Sequence, residues 1–123
     1  MMDHIVIHSM QVCRVATYLA DCLVGRHTPL NAKMIRSAAL LHDITKTRSF
    51  NTGEDHAFTG SEFLTGRGYP EVGELVRQHV VLDEYPASKI PGEAEILNYA
   101  DNRVLHDEIV GLDNRLDYIL ERY

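Results

Sequence analysis

Apolar residues return at three- and four-residue spacing through nearly the whole chain, and no segment alternates with the two-residue period of a half-buried strand. A chain of this kind buries its apolar stripes by packing helix on helix. The expected fold class is therefore all-α, a compact bundle of about five to six helices. A length of 123 residues suits one core, so the whole chain, 1–123, is read as a single domain.

The spacing of Ile5, His8, Val12, Val15, Ala16, Leu19 and Leu23 predicts a first helix from Asp3 to about Leu23, with Gly25 as its stop. Asn31 is placed to cap a second, with Ile35, Ala38, Ala39, Leu41 and His42 on one face, running down around Asp43. The stretch Thr45 to Asp55 is polar, contains Gly53 and shows no period, and is read as a loop. A third helix starts near Asp55 or His56, carries Phe63 and Leu64 inward and ends in Gly66 and Gly68. Gly68-Tyr69-Pro70 reads as the turn into a fourth, with Val72, Leu75, Val76 and His79 on its inner side. Asp83 to Gly92, with Pro86 and Pro91, reads as extended. Glu93 reopens a helix whose inner face holds Ile96, Leu97, Ala100, Asp101, Val104 and Leu105. A last short helix from Asp113 is expected to pack Leu116, Ile119 and Leu120.

The formal net charge of -6 argues against non-specific nucleic-acid binding, since the field of the whole chain repels polyanions. A small phosphorylated substrate stays compatible, because bound divalent cations reverse the local sign. Cys13 and Cys22 fall on opposite sides of one helix and are not expected to pair. No run approaches the length needed to span a bilayer and no leader pattern precedes the first helix, so no membrane partner and a cytoplasmic setting are expected. Oligomeric state is not encoded in these features.

Seven histidines are the unusual feature of the composition. His8, His42, His79 and Asp101 each fall on the apolar stripe of a different helix, and His56 falls at the start of the remaining central one. A lone inward histidine is commonly a hydrogen-bonded core residue. Burying a polar side chain without a partner costs about 1–3 kcal/mol, and an isolated carboxylate costs more. Five inward groups beside Asp43 are therefore better explained by one shared centre. A divalent cation satisfies neutral imidazole nitrogens and carboxylate oxygens together. His4, His27 and His106 lack the pattern; His4 and His106 are open as groups supporting the ligands from behind, but surface positions are the expectation for all three.

His42-Asp43, set in Ala-Leu-Leu-His-Asp-Ile-Thr-Lys, resembles the doublet that names the HD superfamily of metal-dependent phosphohydrolases. The resemblance extends through His8 in His-Ser-Met-Gln-Val, His56 in Asp-His-Ala-Phe-Thr-Gly, His79 in Arg-Gln-His and Asp101 in Tyr-Ala-Asp-Asn-Arg-Val. It implies that His8, His42, Asp43 and Asp101 hold one metal, and that His56 and His79 with a bridging Asp43 hold a second. Many two-metal relatives carry consecutive histidines at the fourth motif, whereas Val80 follows His79 here.

The implied activity is hydrolysis of a phosphate ester, of a nucleotide or another small phosphorylated compound, with hydroxide on the metal as nucleophile. Monoester and diester substrates are both open. The donor set, nitrogen and oxygen without thiolate, suits one or two ions of Fe, Mn, Co, Ni or Mg. Asp43 and Lys46 are the expected catalytic residues, Lys46 in the HD-x-x-Lys arrangement holding phosphate as a point charge. With a single metal, Glu54, Asp55 or Asp83 would have to serve as base. Arg48, Arg77 and Arg103 are read as solvated surface charges. The rivals are a di-iron oxygenase on the same scaffold and a catalytically silent metal-binding or signalling module.

Overall fold

The computed structural model describes residues 3–23, 30–83 and 92–122, the side chains of Arg115, Ile119 and Arg122 excepted. The expected stop at Gly25, the run through Pro86 and Pro91, the packing of Ile119 and the placement of His27 lie outside the described residues. The fold is helical: α1 (Asp3–Leu23), α2 (Ala32–Leu41), α3 (Lys46–Thr52), α4 (His56–Gly66), α5 (Pro70–Arg77), α6 (Glu93–Asn102) and α7 (Leu112–Arg122). Between α6 and α7, β1 (Val104–Leu105) and β2 (Glu108–Ile109) pair antiparallel, Val104 opposite Ile109 and Leu105 opposite Glu108.

Local chemistry sets the helix ends. Asn31 Oδ1 accepts from the Met34 N–H at 3.0 Å, and Asp55 Oδ1 accepts from the Ala57 N–H at 3.0 Å, so both side chains satisfy otherwise orphaned donors. Pro70 stands at the start of α5, where a missing N–H costs nothing. Val12, Ala16 and Ala20 of α1 meet Ile35, Ala38 and Ala39 of α2, with Val76 of α5 and Leu97 and Ala100 of α6 completing the core. Helices α4 and α5 approach closely because Gly73 has no side chain: a Cβ there would lie 2.9 Å from the Ser61 carbonyl oxygen.

Five expectations are corrected. Helix α5 ends at Arg77, so His79, expected on its inner side, lies just beyond it and is still buried. Thr45 to Asp55 is not a loop throughout, because Lys46–Thr52 forms α3, closed by Gly53 in the left-handed region at φ 72° with its N–H bonded to Ser49 O. Seven residues with Phe50 as the one apolar side chain are too few to display a period, and the helix rests on its C-terminal cap and on Ser49 Oγ donating to Lys46 O. Phe63 is 39% exposed, and Arg67 stacks on its ring, while Leu64 alone of that pair enters the core. Leu116 and Leu120 of α7 are exposed, at 54% and 68%. Val104 and Leu105 do not continue α6 but form β1, and Val104 still reaches the core because an extended residue can fill the same site.

Candidate metal centre

Residues from five parts of the chain converge at the foot of the core. His8 comes from the first third of α1, His42 and Asp43 from the turn that ends α2, His56 from the first position of α4, His79 from just beyond α5, and Asp101 from the last turn of α6. Asp43 lies at the middle. Its Oδ2 is 3.3 Å from His42 Nε2 and 3.8 Å from His8 Nε2, while its Oδ1 is 3.3 Å from His56 Nε2 and 3.4 Å from His79 Nε2. Asp101 Oδ1 is 2.8 Å from His8 Nε2 and 3.3 Å from His42 Nε2. One ligand atom each from His8, His42 and Asp43 lies within 4.8 Å of the others, and the same holds for Asp43, His56 and His79.

The far nitrogens fix the rings. His42 Nδ1 donates to Ala39 O at 2.7 Å, His79 Nδ1 to Val76 O at 2.7 Å and His8 Nδ1 to His106 O at 2.9 Å. A carbonyl only accepts, so Nδ1 carries the hydrogen in each ring and a neutral ring turns the Nε2 lone pair inward. Thr45 Oγ1 donates to His56 O at 3.0 Å and ties the His42-Asp43 turn to the start of α4. Asn98 Nδ2 of α6 donates to His79 O at 3.0 Å and holds the chain beyond α5.

This donor set fits a cation. His42 Nε2 is sealed from solvent and makes no well-directed hydrogen bond, and His56 Nε2 faces His79 Nε2 at 3.2 Å. At that distance either the His56 ring donates to the His79 lone pair or one cation takes both nitrogens. Ligand atoms bound to one ion at about 2.1 Å sit about 3.0–3.4 Å apart, which matches the contacts around Asp43. In the metal-free protein, protons supply the missing charge. Burial opposes charging of His42, but the adjacent Asp101 and Asp43 carboxylates outweigh it and push the imidazole up to about 10. Burial likewise opposes ionisation of Asp43, and the surrounding His42, His56 and His79 overcome it, holding the carboxyl far below its usual range. Asp101 is lowered in the same way against its burial, by His42 and His8.

The centre opens into a cavity of about 700 Å³. Lys46 reaches it from α3, its Nζ 3.8 Å from Asp43 Oδ2, and Phe50, one turn later on α3, lines it too. Tyr118 of α7, Leu105 and the exposed His4 and His106 border the same space. Glu54, Asp55 and Asp83 do not line it: Glu54 pairs with Arg48, Asp55 caps α4, and Asp83 pairs with Arg77. Arg77 also binds Glu74, and Arg103 donates from Nε to Val110 O at 2.6 Å, so all three arginines are engaged away from the centre.

The hairpin turn at His106-Asp107 was invisible in the sequence and supports His8 from behind. His106 adopts φ 58°, a left-handed conformation uncommon for a side-chain-bearing residue, and so aims its carbonyl at His8 Nδ1. Gln11 Nε2, nearly one turn along α1 from His8, donates to Asp107 O at 2.9 Å and pins the other half of the turn. For a cation held by His8, Gln11→Ala is expected to weaken affinity by roughly 3–10-fold, near the low end for support of a ligand. Stability should fall by less than about 1 kcal/mol, the worth of one exposed hydrogen bond. Titration calorimetry with Mn²⁺ and chemical denaturation measure the two; unchanged affinity would show that the turn does not set the His8 ring.

Comparison with known proteins agrees with this architecture. The family model described as HD domain matches residues 5–104. A tRNA (cytidine(56)-2'-O)-methyltransferase of Picrophilus torridus is 30% identical over 128 residues, covering 94% of this chain and 36% of that protein. A Ribonuclease Y of Aquifex aeolicus is 29% identical over 122 residues, covering 97% of this chain and 21% of that protein. The chain thus spans about a third or less of the length of these curated relatives. Among solved structures, a predicted HD superfamily hydrolase from an uncultured Thermotogales bacterium shares the fold with a TM-score of 0.60 at 21% identity, over 94% of this chain and 75% of that one. With the family model covering most of its length and the histidines and aspartates of the motif gathered at one point, the chain belongs to the HD domain family.

Proposed function

We propose that the chain is a metal-dependent phosphohydrolase, with His8, His42, Asp43 and Asp101 holding one divalent cation and His56, His79 and a bridging Asp43 holding a second. The observation that carries this reading is the sealed His42 Nε2 between two carboxylates, its other nitrogen committed to Ala39 O. Asp43 supports the bridging role by turning one oxygen toward His8 and His42 and the other toward His56 and His79. Fe, Mn, Co, Ni and Mg all accept such donors.

A divalent cation at this position supplies Lewis acidity toward a phosphoryl oxygen and lowers the pKa of water. The protein's own residues do the positioning. None of the described residues lining the cavity is serine, threonine or cysteine, and with Asp43, Asp101, His8, His56 and His79 assigned to the cations, water is left as the nucleophile. Lys46 stands beside Asp43 with its ammonium toward the cavity, where it can bind a phosphate oxygen that the two carboxylates alone would repel. His8, His42 and His79, anchored through Nδ1, keep their Nε2 atoms aimed at one region without reorganisation. The names of the relatives, a tRNA methyltransferase and a Ribonuclease Y, are compatible with a phosphorylated substrate.

A panel of phosphomonoesters, phosphodiesters and nucleotides against the Mn, Co, Fe, Ni and Mg forms tests the reading. Hydrolysis by at least one metal form and none by chelated protein is expected. Substrate-dependent oxygen uptake by an iron form without phosphate release would establish the oxygenase instead, and inertness of every form would leave a silent module. Lys46→Ala is expected to raise KM for the best substrate about tenfold, the loss of one charged phosphate contact of about 1.4 kcal/mol, with metal content unchanged. Unaltered KM would remove Lys46 from phosphate binding.

A further inference from the structure

The cavity beside the candidate centre carries its own information about what lies beyond a bound phosphate. Lys46 is the one lysine or arginine among its described lining residues, and Asp43 and Asp101 contribute the carboxylates. A polynucleotide needs a basic track that follows several phosphates. Among the described lining residues no such track leads away from the centre. The net charge of -6 adds to the mismatch.

The wall that replaces a basic track is aromatic and apolar. Phe50 lies four residues after Lys46 on α3, so the two side chains leave the same face of that helix. Its ring is 56% exposed, much as Phe58 is at 54%, and what sets it apart from Phe58 and Phe63 is its place in the cavity lining. Tyr118 borders the same space from α7, its ring edge-on to that of His106 at 5.5 Å between centroids. Leu105 and Val80 extend the apolar surface. A volume of about 700 Å³ leaves room for a ring system as well as a phosphate.

Resting on the phosphohydrolase reading above, we infer that the substrate is a small ester bearing one phosphate and one planar aromatic group. The phosphate would lie between the centre and Lys46, and the ring against Phe50. Phe50 is then a specificity-determining residue. It sits one helical turn from the phosphate-binding ammonium and offers a flat surface to any ring joined to that phosphate by a short linker.

The experiment pairs 1-naphthyl phosphate with glycerol 1-phosphate, esters of like charge that differ in the ring and in leaving-group acidity, on the Mn-loaded full chain, so the ring preference is read in KM and in its dependence on Phe50. The wild type should favour the aryl ester about tenfold or more in kcat/KM, through KM, the effect of one stacked ring. Phe50→Ala should reduce that ratio about tenfold, and Phe50→Tyr, which keeps a ring, should restore it. In parallel, calorimetry with naphthylphosphonate and methylphosphonate reads the same preference as binding, without turnover. Failure of both esters to react while naphthylphosphonate binds tighter, and loses that advantage in Phe50→Ala, would sink the hydrolase reading and keep the aromatic subsite. Equal handling of the paired compounds by wild type, a ratio unmoved by Phe50→Ala, or single-stranded RNA cleaved with higher kcat/KM than the aryl ester would overturn the inference.

Discussion

Asp43→Ala is expected to abolish stoichiometric metal binding and to lower phosphoesterase kcat/KM by at least about 10³-fold, the several kcal/mol of transition-state stabilisation that a metal supplies. The size of the effect follows from position. Asp43 is the one described side chain whose two oxygens face two separate groups of imidazoles, His8 and His42 on one side, His56 and His79 on the other. Its loss would disrupt both groups. The metal-free protein should also lose about 3 kcal/mol of stability, because His42 remains buried with Asp101 as its remaining close carboxylate. Asp43→Asn keeps the shape without the charge and should fold while failing to bind metal. Elemental analysis and denaturation of both variants check this, and a variant retaining two equivalents of metal with wild-type turnover would end the bridging role.

Removing the metal should change not only activity but the pH dependence of stability. In the metal-free protein His42 is held protonated up to about 10, above its ordinary 6.5, so the folded state binds one proton more than the unfolded state between those values. That contribution is complete below pH 6.5 and is lost as pH climbs toward 10, with a slope of up to about 1.4 kcal/mol per pH unit. Asp43 and Asp101 act in the opposite sense. Their depressed pKa values stabilise the fold above the ordinary carboxylate range and lose that effect as pH falls below it. The chelated protein should therefore be most stable between about pH 4 and 6.5.

A cation displaces the His42 proton, so metal affinity should rise about tenfold per pH unit over the same upper window. The gap in Tm between loaded and chelated protein should consequently widen from pH 6.5 to 9. A constant or shrinking gap would show that His42 does not exchange its proton for the metal. Saturated protein should hold two equivalents, and His79→Ala one; a single equivalent in the wild type would confine binding to the site of His8, His42, Asp43 and Asp101.

Reading the chain from residues alone succeeded where a side chain's position on a helix settles its direction. His8, His42 and Asp101 each lie in line with core residues such as Val12, Ala38 and Leu97, and a bundle leaves such faces one place to point, while His79, just past the end of α5, is buried beyond the helix expected to carry it. Asn31, Asp55 and Pro70 announced helix starts because capping is chemistry of adjacent residues. The short α3 escaped, and with it Phe50, although Lys46 and Phe50 at four-residue spacing were the signal that might have been followed. The hairpin after α6 escaped for a related reason: Val104 suits a helix face and a two-residue strand equally.

What the sequence determined by itself is the helical class, the core faces of α1, α2 and α6 and the six metal-binding candidates, since those depend on spacing along one element at a time and on residues adjacent to it; Phe63, Leu116 and Leu120, expected to face inward, are exposed instead. Only the tertiary structure decided that Asp43 stands between the two histidine groups, that the His106 carbonyl turns His8 inward, and that Phe50 and Tyr118 border one cavity. These are relations between residues distant in the chain, His8 and His106 among them, and helical periodicity carries no record of how separate helices cross or where their connections fold back.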